Sequence, residues 1–253
     1  MGRKGKTARL KRKPAPRFWP IHRKEELWVI KPSAGPHGLQ NCLPLSLVIR
    51  DILGLAKTRR EVQIEIHQRK ILVDGKVQKD DYPVGLMDTI SITDANQYYR
   101  VVPSHKGLSL TPINKEEAGF KLCRVENKTT VPGGVQLNLH DGSNLLVRVP
   151  DSTNLQEAKY STYDVLKVNL STKEIIERVP LKVGNLAVIT GGKNIGINGK
   201  IAEIEKTEAK KRRNALVVIE DENGNRFQTI LDFIFSLDQN QPLVSAMEAG
   251  TVV

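Results

Sequence analysis

A chain of 253 residues with a net charge of +11 and a pI near 9.6 has room for one large domain or two to three small ones, and implies a polyanionic partner, nucleic acid or an anionic membrane surface. A hydrophobic fraction of 39% with only 5% aromatics argues for several small β-rich modules over one large core. Two cysteines, Cys42 and Cys123, with no CxxC and five scattered histidines exclude a structural zinc site and a disulfide scaffold.

No apolar run reaches the roughly 18 residues of a membrane helix, and no apolar stretch follows the basic N-terminus as in a secretory signal. A soluble, intracellular protein with no membrane partner is expected. The charge is uneven along the chain, which favours nucleic acid as the polyanion.

Residues 1–24, MGRKGKTARLKRKPAPRFWPIHRK, hold ten Lys/Arg and no acid. Interspersed Gly and Pro prevent a continuous helix, and the like charges repel. Such a segment reads either as a solvated tail or as an arm that orders on phosphates. The aromatics at its end favour the arm. Its candidate RNA contacts are Arg3, Lys4, Lys6, Arg9, Lys11, Arg12, Lys13 and Arg17, with Trp19, beside Phe18, expected to stack on a base or dock in a partner's crevice. Deleting residues 1–24 is expected to weaken RNA binding and leave the fold intact. Residues 25–43 form a Pro/Gly-rich connector expected to run extended.

From Pro44 to Gly54, Leu45, Val48, Ile49, Ile52 and Leu53 recur at helical spacing. Thr58 and Glu61 stand as a capping box, so a second helix runs to about Arg69. ILVDGKV, Ile71 to Val77, reads as a hairpin turning at Asp74-Gly75, and Asp88–Ile92 as a closing strand. Residues 44–92 therefore form a compact helix-turn-helix plus β unit. Arg50, Lys57, Thr58, Arg59, Arg60 and Arg69 surround the ends of the second helix, whose N-terminus adds partial positive charge. Such residues ordinarily form a solvated face; here cations outnumber acids, and RNA contact is expected.

Residues 94–177 alternate short strands with turns, and INKEEA suggests a short helix with Asn114 and Glu117 as its capping pair. Residues 178–238 contain five short strands, which suggests a small barrel. A charged loop, Lys206–Asn214, interrupts it, and Lys210, Lys211, Arg212 and Arg213 are the weakest of the candidate contacts.

Within that barrel, GGKNIGING (191–199) packs four glycines around Lys193. Gly191 and Gly196 have the glycine spacing of a phosphate-binding P-loop. Ile197 and Asn198, however, occupy the Lys and Ser/Thr places, and a strand follows instead of a helix. Nucleotide hydrolysis is excluded on these grounds, and no cofactor or small-molecule substrate is implied. VITGGKNIGINGKIAEIE instead resembles the KOW motif, a strand-loop-strand found in SH3-like barrels. That resemblance makes Gly199 the motif glycine and has Lys193, Asn194 and Lys200 present donors to RNA or protein.

Residues 44–92 look like the RNA-binding domain named after bacterial ribosomal protein S-four. With the basic arm, the central β domain and the KOW barrel, the order resembles the archaeal/eukaryotic-type small-subunit ribosomal protein S-four-e family. GPHGLQNCLPL (35–45), DGKVQKDDYPVGLMDTISI (74–92), LAVITGGKNIGINGKI (186–201) and DENGNRFQT (221–229) carry the match. The ending SAMEAGTVV lacks the basic extension of eukaryotic members and favours an archaeal source. The resemblance implies a multidomain, mainly β protein with a small α/β module. Its parts are an arm and connector (1–43), an S-four-type domain (44–93), a central antiparallel β domain (94–177), a KOW SH3-like barrel (178–238) and a tail (239–253). It also implies a non-catalytic, structural role in the cytoplasmic ribosome, with small-subunit rRNA and neighbouring ribosomal proteins as partners. The S-four-type domain also occurs in pseudouridine synthases and tRNA synthetases, but those need a large catalytic domain for which this chain has no room. A free KOW-containing regulator of transcription or translation is the other alternative.

Overall fold

The computed structural model describes residues 9–22, 24–148, 160–205, 215–221 and 223–238. The described part of the N-terminal segment is folded. Strand β1 (Leu10–Lys11) pairs antiparallel with β2 (Trp28–Val29), so the segment doubles back on itself. Leu10, Ala15 and Trp19 join the hydrophobic core of the first module. Trp19 is 2% exposed, and its indole Nε1 donates to the Cys42 carbonyl at 2.8 Å. Two expectations are thereby corrected. Trp19 is a core residue, unavailable for base stacking, and deleting 1–24 would remove part of the core. The apolar side chains of the arm find a crevice within their own chain, which net charge alone does not reveal.

Strand β3 (Cys42–Pro44) leads into helix α1 (Leu45–Leu47), which widens into a π-turn over Val48–Ile52. Helix α2 (Arg59–His67) starts at Thr58 with the expected reciprocal capping box to Glu61. Then come β4 (Ile71–Val73), β5 (Pro83–Gly85), β6 (Thr89–Ile92), β7 (Gln97–Ser104) and β8 (Gly107–Ile113). Asp74 and Gly75 turn with positive φ as a type I′ hairpin requires, but the hairpin stops at one bridge, Val73 to Lys76. The partner of β4 is β6, in a four-stranded sheet ordered β4-β6-β7-β8, while β5 pairs with β3. The apolar faces of both helices, carrying Leu45, Val48, Ile49, Val62 and Ile66, share a core with Ile71, Val73, Ile90 and Val101 of this sheet.

The central sheet comprises β9 (Phe120–Val131), β10 (Gly134–Leu139), β11 (Asn144–Arg148), β12 (Val165–Asn169) and β13 (Ile175–Val179), ordered β11-β10-β9-β12-β13 and antiparallel throughout. Before it lies a 3₁₀ turn, Glu117–Gly119, with no side-chain cap. Asn114 contributes only its backbone carbonyl, to the Ala118 N–H, so the expected capping pair does not form. The last sheet comprises β14 (Leu186–Ile189), β15 (Asn198–Glu205), β16 (Leu216–Glu220), β17 (Arg226–Ile230) and β18 (Ile234–Asp238). Its order, β17-β16-β15-β14-β18, curls the closing strand back beside the opening one.

These sheets are not beads on a string. Met87 and Val102 of the first module, Leu122, Val165 and Val179 of the central sheet, and Val188, Phe235 and Leu237 of the last sheet form one buried cluster. Burial of apolar area across the three joints, at about 25 cal/mol per Å², fixes their relative orientation.

A buried ionic cluster reinforces the joint. Lys121 of β9, 3% exposed, reaches Asp74 at 2.8 Å, Asp141 at 3.3 Å, and Asp88. Asp88 also accepts from the Gly85 N–H at 2.8 Å and meets His37 Nε2 at 3.2 Å. Burial opposes the charge on Lys121, but Asp88 and Asp74 outweigh it and raise its pKa well above the usual lysine value. Burial likewise opposes ionisation of Asp88, and Lys121 with His37 holds it below the ordinary carboxylate range. Arg124 of β9 makes the other joint, its guanidinium donating to the carbonyls of Asp232 and Ile234 at 2.7 and 2.8 Å.

Candidate nucleic-acid interface

The sheets sort the cations into two populations. Lys121, Arg100 and Arg124 are internal. Arg100 of β7 is fully buried and donates to the carbonyls of Glu117 and Phe120 at 2.7 and 2.9 Å, and burial lowers its pKa to about 10. These three hold sheets and turns together.

The other population points outward. On the arm, Arg9, Lys11, Lys13 and Arg17 are exposed. Arg9 and Lys11 flank the ring of Trp28, 5.7 and 5.5 Å from its centroid, and Trp28 is 44% exposed. The open aromatic is thus Trp28 of the connector, and the buried one is Trp19 of the arm. Arg12 is half-buried and donates to the Ile21 carbonyl at 3.1 Å, bracing the doubled-back segment. Arg3, Lys4 and Lys6 lie outside the described residues, as do Lys210, Lys211, Arg212 and Arg213.

Around α2, Lys57, Arg59, Arg60 and Arg69 are exposed. Arg59 is engaged by Asp80, and Arg50 is bidentate to its neighbour Asp51 at 2.9 and 3.0 Å. An exposed pair of this kind is weak and can be exchanged for a phosphate. The Thr58 hydroxyl accepts the Glu61 N–H at 3.3 Å, while the Glu61 carboxylate accepts the Lys57 N–H at 2.8 Å. Backbone donation from Lys57 and hydrogen bonding to Thr58 lower the Glu61 pKa. The α2 N-terminus is therefore capped by its own carboxylate, and Thr58 serves the cap. The cations beside that end carry the positive potential.

In the last sheet, Lys193 and Lys200 are exposed and Asn194 is half-buried in the glycine-rich loop. The loop runs between two strands, as the sequence requires. Residues that sequence reasoning passed over are Trp28 and the His105-Lys106 turn of the β7–β8 hairpin, both residues of which are exposed. An SHKG turn between alternating strands is the available signal for the second. Nothing local marks Trp28 as open and Trp19 as closed, since that depends on which ring finds the Cys42 carbonyl.

Family models match at residues 4–40 (RS4NT domain), 47–90 (S4 domain) and 95–175 (Ribosomal family S4e). A "Small ribosomal subunit protein eS4" from Desulfurococcus amylolyticus is 48% identical over 99% of this chain and 100% of the relative. The protein of the same name from Staphylothermus marinus is 47% identical over the same shares. The crystal structure of the 30S ribosomal protein S4e from Thermoplasma acidophilum superposes with a TM-score of 0.63 at 31% identity, covering 78% of this chain and 94% of that one. Near-complete coverage at this identity leaves no room for a different architecture: the chain belongs to the archaeal branch of the ribosomal protein S4e family, a family of structural proteins and not of enzymes.

Proposed function

We propose that the chain is a structural component of the small ribosomal subunit that holds 16S-type rRNA against a fused three-module scaffold. One observation carries this reading: the buried cations Lys121, Arg100 and Arg124 each bond inward across the sheets, whereas those of the arm, the α2 region and the glycine-rich loop are exposed. A folded protein gains nothing internally from such a surplus. Phosphate neutralisation with counterion release is the favourable use for it. Folded RNA is met mainly through shape and backbone, which suits a rigid surface with cations at several heights.

In this reading the arm and connector occupy residues 1–43, the S-four-type RNA-binding domain 44–93 with β7 and β8 continuing its sheet, the central β domain the rest of 94–177, the KOW barrel 178–238 and the tail 239–253. Contacts are assigned to Arg3, Lys4, Lys6, Arg9, Lys11, Lys13, Arg17, Lys57, Arg59, Arg60, Arg69, Lys193 and Lys200, with Arg50 and Lys210–Arg213 in support. Neighbouring small-subunit proteins complete the partners, in the cytoplasm. Sedimentation tests the reading: the protein should stay with 30S particles through a high-salt sucrose gradient, and recovery only at the top of the gradient would contradict it.

A further inference from the structure

The β7–β8 hairpin turn, the arm and the glycine-rich loop, far apart in sequence, meet around one open groove of about 650 Å³. That lies within the roughly 300–1,000 Å³ of ligand clefts. Its apolar lining is the buried Pro16 with Phe18, Pro20 and Ile195. Arg17, His105 and Lys106 stand at the rim with Gln40. Among the described residues that line it, none is acidic.

The groove is built, not incidental. Gly196 adopts φ +84°, and a Cβ there would lie 2.8 and 2.9 Å from the backbone of Ser104 and His105. At Gly107, φ +127°, a Cβ would lie 2.5 Å from the Phe18 side chain. Two glycines thus let the loop and the arm close directly on the hairpin turn. Behind Phe18, the buried Trp19 and its bond to Cys42 anchor the lining.

We infer that this groove is a single-stranded RNA subsite, taking one or two unpaired nucleotides with a base against Phe18, Ile195 and the prolines and the flanking phosphates on Arg17, His105 and Lys106. The inference rests on the rRNA-binding reading above and gives it a location. An apolar floor offers a face to any base, which is how sequence-tolerant single-strand binding works. Gln40 has both a donor and an acceptor for a base edge. A rim that is cationic, with no carboxylate, suits a phosphodiester better than a peptide, whose apolar side chains need no such charge. The tight glycine packing sets these groups in place before RNA arrives, which lowers the ordering cost of binding.

The test uses the full chain and a small-subunit rRNA transcript carrying 4-thiouridine, with photocrosslinks mapped by mass spectrometry. Crosslinks are expected on the peptides containing Phe18 or His105. The double substitution His105→Ala and Lys106→Ala, in an exposed turn, should weaken binding about tenfold and make the salt slope shallower by about one. Ile195→Glu should weaken it similarly by placing an acid in the groove. If the wild type binds the transcript, crosslinks fall only elsewhere, and all these variants bind as the wild type does, the groove is not an RNA subsite. A crosslink from the groove to a neighbouring protein in assembled subunits, with none to RNA, overturns it equally. If the wild type fails to bind the transcript at all, the broader rRNA-binding reading falls first.

Discussion

The ammonium of Lys121 lies 2.8 Å from the Asp74 carboxylate, across the joint between the central sheet and the first module. It also pairs with the fully buried Asp88, so one ammonium serves a half-buried and a buried carboxylate. Lys121→Met should therefore cost about 3–5 kcal/mol in urea unfolding, because it strands buried carboxylates. In that variant Asp88 loses the cation that holds its pKa down, and Asp74, whose pKa burial and Asp88 already raise, loses the cation that opposes the rise, so both favour the neutral form. The deficit should then be largest near neutral pH and shrink as pH falls and the carboxylates protonate. An equal loss at both pH values would mean that packing, and not charge, makes the joint.

Trp19 is the second anchor. Trp19→Ala should destabilise the first module by about 3–5 kcal/mol through the cavity it leaves. Trp19→Phe should cost roughly 1–3 kcal/mol, with the Cys42 carbonyl left unpaired. Denaturant titration followed by circular dichroism measures both. The same contact divides two truncations. Deleting residues 1–8 removes Arg3, Lys4 and Lys6 and should flatten the salt slope of rRNA binding while unfolding remains that of the full chain. Deleting 1–24 should lower stability as well, since Leu10, Ala15 and Trp19 go with it.

His140 makes stability depend on pH. Its Nδ1 accepts the Arg124 N–H at 3.1 Å, and its Nε2 lies 3.2 Å from the Leu86 carbonyl, which fits the neutral ring with hydrogen on Nε2. Burial, and then the nearby Lys121, lowers its pKa to about 3 from the usual 6.5. The unfolded chain binds the extra proton first, so this contribution is complete above pH 6.5 and is lost as pH falls from 6.5 towards 3. The slope is at most about 1.4 kcal/mol per pH unit. Unfolding titrations across that range should show it, and His140→Asn should flatten it.

Among the surface cations, engagement ranks the effects. Arg60 and Arg69 are exposed, whereas Arg50 is bidentate to Asp51. Arg60→Ala and Arg69→Ala should each reduce the salt slope of rRNA binding by about one with little change in stability. Arg50→Ala should change it less, because Asp51 already offsets that charge. Filter binding over a salt series separates these outcomes.

Much of the fold was legible because its signals are local. The Thr58–Glu61 box marks the start of α2, and the strand after GGKNIGING excludes a P-loop from sequence alone. What stayed hidden depends on long-range pairing. Arg100 and Lys121 look like surface cations in a strand alternation, and only the sheet junctions make them internal. Phe18 and Trp19 are adjacent aromatics on a basic segment, and no local pattern says that one fills the core while the other lines a groove. The capping pair expected at Asn114 fails because the turn there is a single 3₁₀ turn leading straight into β9. The groove joins residues near 17, 105 and 195, so no window of sequence contains it.

The most direct test of rRNA holding is the salt dependence of binding by the intact protein to small-subunit rRNA. Log affinity should fall linearly with log salt, with a slope steeper than about −4, as expected when at least five or six phosphates are neutralised. No binding in dilute buffer, or an affinity indifferent to salt, would contradict the account.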